Sequence, residues 1–271
     1  EKPDELARLH LAASGWYESR GDRDPAIRHA KAAGDLARTG TLVWAGVPGC
    51  ISTGRTDRLA AWLADLDDRQ IRSDPWLTLS AAWLGLQTGE PDRMTRWILA
   101  AEVHAGRDWT TRITTDEYAA CLAAIHVVVG DFGLEGSIEL CRAVQLGLPR
   151  DSGVRAAAFL NEGVALTLTR RFQEGKTSLQ QAERLGQALG VPIIEANALA
   201  WQGMLAVLTD DWAHGAPLIT RAGELVRLHR LERLATSANS VTALALLQAA
   251  RGSKDQARVT LGTARRLTSQ V

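Results

Sequence analysis

Aromatic residues make up only 5% of this 271-residue chain, cysteine occurs three times, methionine twice, and neither sign of charge is in excess, with 31 basic and 31 acidic side chains. Each shortage excludes something. Without a surplus of Lys and Arg there is no surface built to track phosphates, so direct nucleic-acid binding is not expected. Cys50, Cys121 and Cys141 are odd in number and lack CxxC spacing. They supply neither a disulfide framework nor a zinc site, and buried free thiols in a reducing cytoplasm are the natural reading. The longest nearly apolar stretches, Cys121 to Val129 and Ala198 to Leu208, fall short of the ~20 residues of a membrane span and are interrupted by His126 and Gln202. Residues suited to a pleated sheet are sparse as well. The opening Glu-Lys-Pro-Asp has neither an initiator Met nor a charged-then-apolar signal pattern, which reads as a piece of a longer polypeptide.

What the chain has instead is helix former. Alanine and leucine together account for 80 of the 271 residues, which points to an all-α fold. An alanine-rich chain of this length invites a test for self-similarity. Gly163, Gly175, Leu179 and Ala182 define a spacing of two small residues, a large apolar one and an alanine. The same spacing recurs as Ala124, Gly136, Leu140, Ala143; as Gly203, Gly215, Ile219, Ala222; and as Ala245, Ala257, Leu261, Ala264. The period is about forty residues, enough for two helices per unit. A small residue on each helix of a hairpin lets the two backbones approach, while the large one fills the wedge beside them. Turn signals fall between the helical runs at Gly130-Asp131-Phe132-Gly133, Arg170-Arg171-Phe172, Asp210-Asp211-Trp212 and Gly252-Ser253-Lys254-Asp255. Loops this short make neighbouring helices antiparallel.

The first hundred residues repeat less cleanly. Helices are expected at Asp4 to Ser19, Pro25 to Arg38, Thr56 to Leu66, Pro75 to Thr88 and Pro91 to Ala105, several opened by Pro after an acidic residue. Gly46, Pro48, Gly49 and Gly54 argue against a helix over Leu42 to Gly54. The expected architecture is a right-handed superhelix of about seven antiparallel helix pairs, a tetratricopeptide-like solenoid. It forms one domain over 1–271, with Gly106 to Thr115 as its longest connection and a candidate kink at 106–115.

Chemistry-bearing constellations are few. His10, His29, His104, His126, His214 and His229 show no HExxH and no pair at i, i+4, so neither a metal nor a cofactor is expected. His229 and Glu232 read as a solvent-facing pair on one helix, and Asp67-Asp68 and Asp210-Asp211 as turn and cap residues. Gly175-Lys176-Thr177 imitates the end of a phosphate-binding loop, but Arg170 stands where that motif needs glycine, so the tripeptide belongs to a hairpin's second helix. No two carboxylates stand out as acid and base, as a toroidal glycosidase would require. No catalytic residue is assigned, and this fragment is expected not to be an enzyme. The informative surface is the inner wall lined by the first helix of each hairpin. The small-residue register puts Tyr118, Cys121, Leu122 and Ile125 there, then Leu160, Asn161 and Val164, then Asn197, Trp201 and Met204, then Asn239, Thr242 and Leu246. Apolar ground with amides and one indole suits a small effector or a peptide.

The stretch Leu9 to Asp35 carries a more specific pattern: Leu9-His10, Trp16-Tyr17, Gly21-Asp22, Ala26-Ile27, His29-Ala30 and Ala33-Gly34-Asp35. Downstream come Leu59, Trp62-Leu63, Leu66 and Asp74-Pro75-Trp76-Leu77. This resembles the helical region of MalT-like regulators, the large ATP-dependent LuxR-type transcription factors. The resemblance implies a STAND-type bacterial signalling protein whose superhelix receives an effector or partner protein and passes occupancy to adjacent ATPase and output domains. Neither of those lies in this fragment, which has no GxxxxGK[ST] and ends in a repeat helix. A similar module accompanies some bacterial serine/threonine kinases, so a kinase output and an effector-free peptide scaffold are the alternatives.

Overall fold

The structure is a computed structural model that describes residues 3–88 and 90–268. All regular elements among them are helices, and they fall into two compact units, Glu1–Arg107 and Asp108–Val271.

The first unit holds α1 (Pro3–Ser19), α2 (Arg23–Ala32), α3 (Leu36–Trp44), α4 (Val47–Thr53), α5 (Thr56–Leu63), α6 (Asp68–Ser73), α7 (Pro75–Thr88) and α8 (Pro91–Ala105). Two expectations need correction here. The helix expected over Pro25 to Arg38 is two helices, because Gly34 takes a left-handed φ of +73° and Asp35 caps α3 by accepting the Arg38 N–H at 2.8 Å. Leu42 to Gly54 is not one helix, since α3 ends at Trp44 and Gly46 precedes α4, but most of it is helical: Pro48 sits in the first turn of α4, where it interrupts no bond, and Gly54 ends that helix in the left-handed region. The unit is organised around α7, which α3, α4, α5, α6 and α8 all contact. Every residue from Leu77 to Leu86 is buried, so α7 has no polar face and other helices must cover it on all sides. Aromatic packing supplies much of the remaining contact. Trp44 stacks on Trp76 at 5.4 Å, and Trp97 is buried beneath the guanidinium groups of Arg72 and Arg96. Buried Asp74 caps α7 through the Leu77 N–H at 2.9 Å, and burial raises its carboxyl above the ordinary range.

The motif residues of α1 and α2 form one cluster. The His10 and His29 Nδ1 atoms are 2.9 Å apart, Tyr17 stacks on His29, Trp16 meets Tyr17 edge-on, and Ser14 donates to the Ala26 carbonyl at 2.9 Å. Trp62, Trp83 and Trp97 are core residues as their helical positions suggest, whereas Trp16 is 54% exposed, with Arg20 over its ring.

The second unit is regular. After a short 3₁₀ turn at Trp109–Thr111 come α9 (Glu117–Val129), α10 (Gly133–Gly147), α11 (Gly153–Leu168), α12 (Phe172–Ala188), α13 (Pro192–Leu208), α14 (Trp212–Leu228), α15 (Ala238–Ala250) and α16 (Lys254–Thr268). These make four antiparallel pairs. First helices contact one another in the order α9, α11, α13, α15, and each second helix also touches the first helix of the next pair. The small-residue spacing has the expected cause in two of the pairs. A Cβ added to Gly163 would lie 2.6 Å from Leu179 Cγ, and one added to Gly203 would lie 2.5 Å from Ile219 Cγ1 and 3.0 Å from the Gly215 carbonyl. In α9 and α10 the pattern has a different meaning: a Cβ on Gly136 would meet only Phe132, one turn earlier on the chain.

Left-handed residues close the hairpins at the same period. Gly130, Arg170, Asp210 and Gly252, with φ of 84°, 63°, 63° and 84°, each sit between the two helices of a pair. A buried carboxylate fixes the register of α10, α11 and α12: Glu162 accepts from Arg142 Nε at 2.7 Å, Gln145 Nε2 at 2.8 Å and Ser178 Oγ at 2.9 Å. All three cysteines are free and buried. Burial pushes the Cys141 thiol up to about 12 and raises that of Cys121 as well.

Candidate functional site

The accessible face of the first helices in the second unit is set by what the opposite face must do. Glycine and alanine press against the second helices, so on α11 and α13 the residues two before and one and five after the small residue turn outward. On α11 these are Asn161 and Val164, half-buried, and Leu168, exposed; on α13 they are Trp201 and Met204, half-buried, and Leu208, exposed. On α15 they are Asn239, Thr242 and Leu246, all exposed. Leu160 is also half-buried and packs against the core of this unit. Nine of the thirteen candidate residues thus lie on α11, α13 and α15, and eight of those nine keep accessible surface.

The exception on these helices is Asn197. It is buried, donates Nδ2–H to the Thr236 carbonyl at 2.8 Å and accepts from Ser240 Oγ at 2.8 Å. Its amide therefore ties α13 to the chain entering α15 and, being buried, offers a ligand no open face. Tyr118, Cys121, Leu122 and Ile125 on α9 are buried too, which removes them from any exposed wall. The physical reason is that α9 reads Ala, Cys, Leu, Ile and Val around its circumference, so the register that selects an outward face elsewhere has no polar side to point to.

The sequence reading missed the most exposed part of this face. Val128, Leu168 and Leu208 occupy the last turns of α9, α11 and α13 with 46%, 54% and 64% of their surface open. They recur at the repeat's own period of about forty residues, a signal that was present in the sequence. Beneath it, His126 is held by Asp131 at 2.8 Å and stacks on Trp109.

The other expectations resolve simply. Asp67 and Gln70 form a complete capping box, and Asp211 accepts the His214 N–H at 3.1 Å, so those acids are helix caps. Lys176 lies on α12, as a hairpin's second helix requires. His229 and Glu232 do not share a helix: α14 ends at Leu228 and Arg230 takes a left-handed φ of 56°, so both lie in a turn. Among the described residues no group of three or more His, Cys, Asp or Glu side chains is arranged to hold a metal ion, and no helix is long and apolar enough to cross a membrane.

No family model matches the sequence, and no curated protein matches it either. Solved structures do. The crystal structure of a Rap protein complexed with competence and sporulation factor superposes with a TM-score of 0.63 at 11% identity, over 98% of this chain and 77% of that one. The likeness is one of fold. Together with the paired helices and their internal period, it makes the chain a tetratricopeptide-like helical-repeat protein, similar in architecture to Rap.

Proposed function

We propose that this chain is a regulatory receiver that binds a partner protein or peptide on the accessible face of α9, α11, α13 and α15. The observation that carries the reading is the recurrence of exposed apolar side chains at Val128, Leu168 and Leu208, extended by Met204 and Leu246. A monomer gains nothing by leaving a leucine open at the same place in successive repeats, whereas an interface does. Asn161 and Asn239 add amides beside this ground, suited to a peptide backbone. A Rap protein of the same fold has been solved with its factor bound, which supports a receiving role. The finer reading follows the Leu9 to Asp35 motif: a MalT-like module of a LuxR-type regulator, acting through its ATPase and output domains rather than by catalysis of its own.

The test is selection of peptides from a random library on the 271-residue chain, followed by titration against Leu168→Glu/Leu208→Glu. Both leucines are exposed, so the helical circular dichroism is expected to be unchanged while affinity falls at least about tenfold, the loss of roughly one buried leucine contact. Selected peptides that bind the double variant as tightly as the parent would remove this face from the function.

A further inference from the structure

A second place in the same unit has the makings of a ligand site, away from the first-helix face. A cleft of about 170 Å³ lies where α12, the end of α13 and the start of α14 meet. Phe172, Leu205 and Ala206 give it apolar walls, and Gln173, Lys176, Gln202, Thr209, Asp211 and His214 complete the lining. Three of these six polar side chains have partners. Thr209 Oγ1 donates to the Leu205 carbonyl at 3.1 Å, and Asp211, an exposed residue, accepts the His214 backbone N–H through Oδ1 at 3.1 Å. Gln202 is 8% exposed and donates Nε2–H to Glu183 at 2.7 Å, which fixes its amide and leaves Oε1 as the acceptor. Lys176 makes no ion pair, and the His214 ring no hydrogen bond, among the described residues.

One ammonium, one imidazole and one locked amide oxygen without partners of their own therefore line the same cleft, Lys176 and His214 being exposed and Gln202 buried. Apolar walls beside polar groups that can orient an occupant are what a small-molecule site offers. We propose that the cleft binds a small carboxylate that carries an adjacent N–H or O–H donor and a compact apolar side chain. The carboxylate pairs with Lys176 and His214, the donor meets Gln202 Oε1, and the side chain packs on Phe172 and Leu205. Size agrees. At about 30 Å³ per water the cleft has room for five or six waters, and so encloses roughly six to nine heavy atoms of a ligand, the rest lying outside it. A free amino or hydroxy acid and the last residue of a peptide share this chemistry. The sequence feature behind the site is Gly175-Lys176-Thr177, whose lysine has a use here although the tripeptide is no phosphate loop.

Ligand-observed NMR with L-leucine, N-acetyl-L-leucine and L-leucinamide on the full chain tests the proposal. Leucine or N-acetyl-leucine is expected to bind, leucinamide at least about tenfold more weakly, and Lys176→Met to cost at least about tenfold with its circular dichroism unchanged, since one charge-assisted bond is lost. Binding by leucine alone assigns a free acid; binding by the acetylated form assigns a peptide terminus. Equal binding of leucinamide, indifference to Lys176→Met, or no binding of any probe at about 10 mM overturns the site. Selected peptides that still bind Lys176→Met but not Leu168→Glu/Leu208→Glu keep the two sites apart.

Discussion

The two units of this chain solve the burial of apolar helices in different ways. In residues 108–268 each pair touches the next, close approach comes from Gly163, Gly175, Gly203 and Gly215, and the turn within every pair holds a left-handed residue. In residues 3–107 one helix, α7, is wrapped by five others, and three of the helices around it, α4, α5 and α6, have only 7, 8 and 6 residues. A stack spreads its core along the chain and keeps one face of α11, α13 and α15 free. A hub gathers its core at one place and leaves no such face. The difference teaches where a repeat can evolve a binding surface: only where first helices stay side by side.

The comparison can be broken by substitution. Leu79→Ala, at a fully buried position of α7, should cost about 3 kcal/mol in urea denaturation. Hydrogen exchange should quicken in every helix that contacts α7, and acceleration confined to α7 and α8 would refute the hub. Gly203→Ala should cost about 2 kcal/mol, because the new methyl overlaps Ile219. Its faster exchange should stay within α13, α14 and their direct neighbours, as a linear stack requires.

Asp74 gives a pH handle on the hub. Its folded carboxyl titrates above the ordinary value because it is buried, so its protonated form is favoured in the fold. The stability it contributes is therefore full below the unfolded-state value near 4 and is lost as pH rises through the folded value. Asp74→Asn keeps an acceptor for the Leu77 N–H and should raise stability by about 1 kcal/mol at pH 7 while changing little at pH 3, followed by thermal melts at both. Arg170→Gly is the smallest expected effect, a gain of about 0.5 to 1 kcal/mol, since glycine adopts the left-handed turn at lower cost than arginine. A loss would show that the Arg170 side chain contributes more than its backbone strain.

How far the sequence could be read follows from the same contrast. Backbone contact between helices demands small residues at fixed places, so Gly163 and Gly203 announce the repeat wherever it is regular. The hub demands only that α7 be apolar throughout, which leaves no period to detect, and the short helices around it went unpaired. Gly34-Asp35 did carry a signal, a left-handed terminator followed by a cap, but it was hidden inside an otherwise continuous helical pattern. On the candidate face the register located Trp201, Met204, Asn239 and Leu246 on accessible ground. It failed at Asn197, because a polar residue at an outward position can be spent on a neighbouring loop, and on α9, because inside and outside there have the same composition.

The state of the three thiols has a practical corollary. Cys50, Cys121 and Cys141 are enclosed between helices, and burial raises all three above the ordinary thiol range. Burial disfavours the thiolate on the intact molecule, so an alkylating reagent or an oxidant reacts chiefly after the covering helices have parted. The speed of capture at each cysteine thus clocks the opening of its own stretch of chain, and a cysteine placed on the outside would be the sole early target for a spectroscopic label.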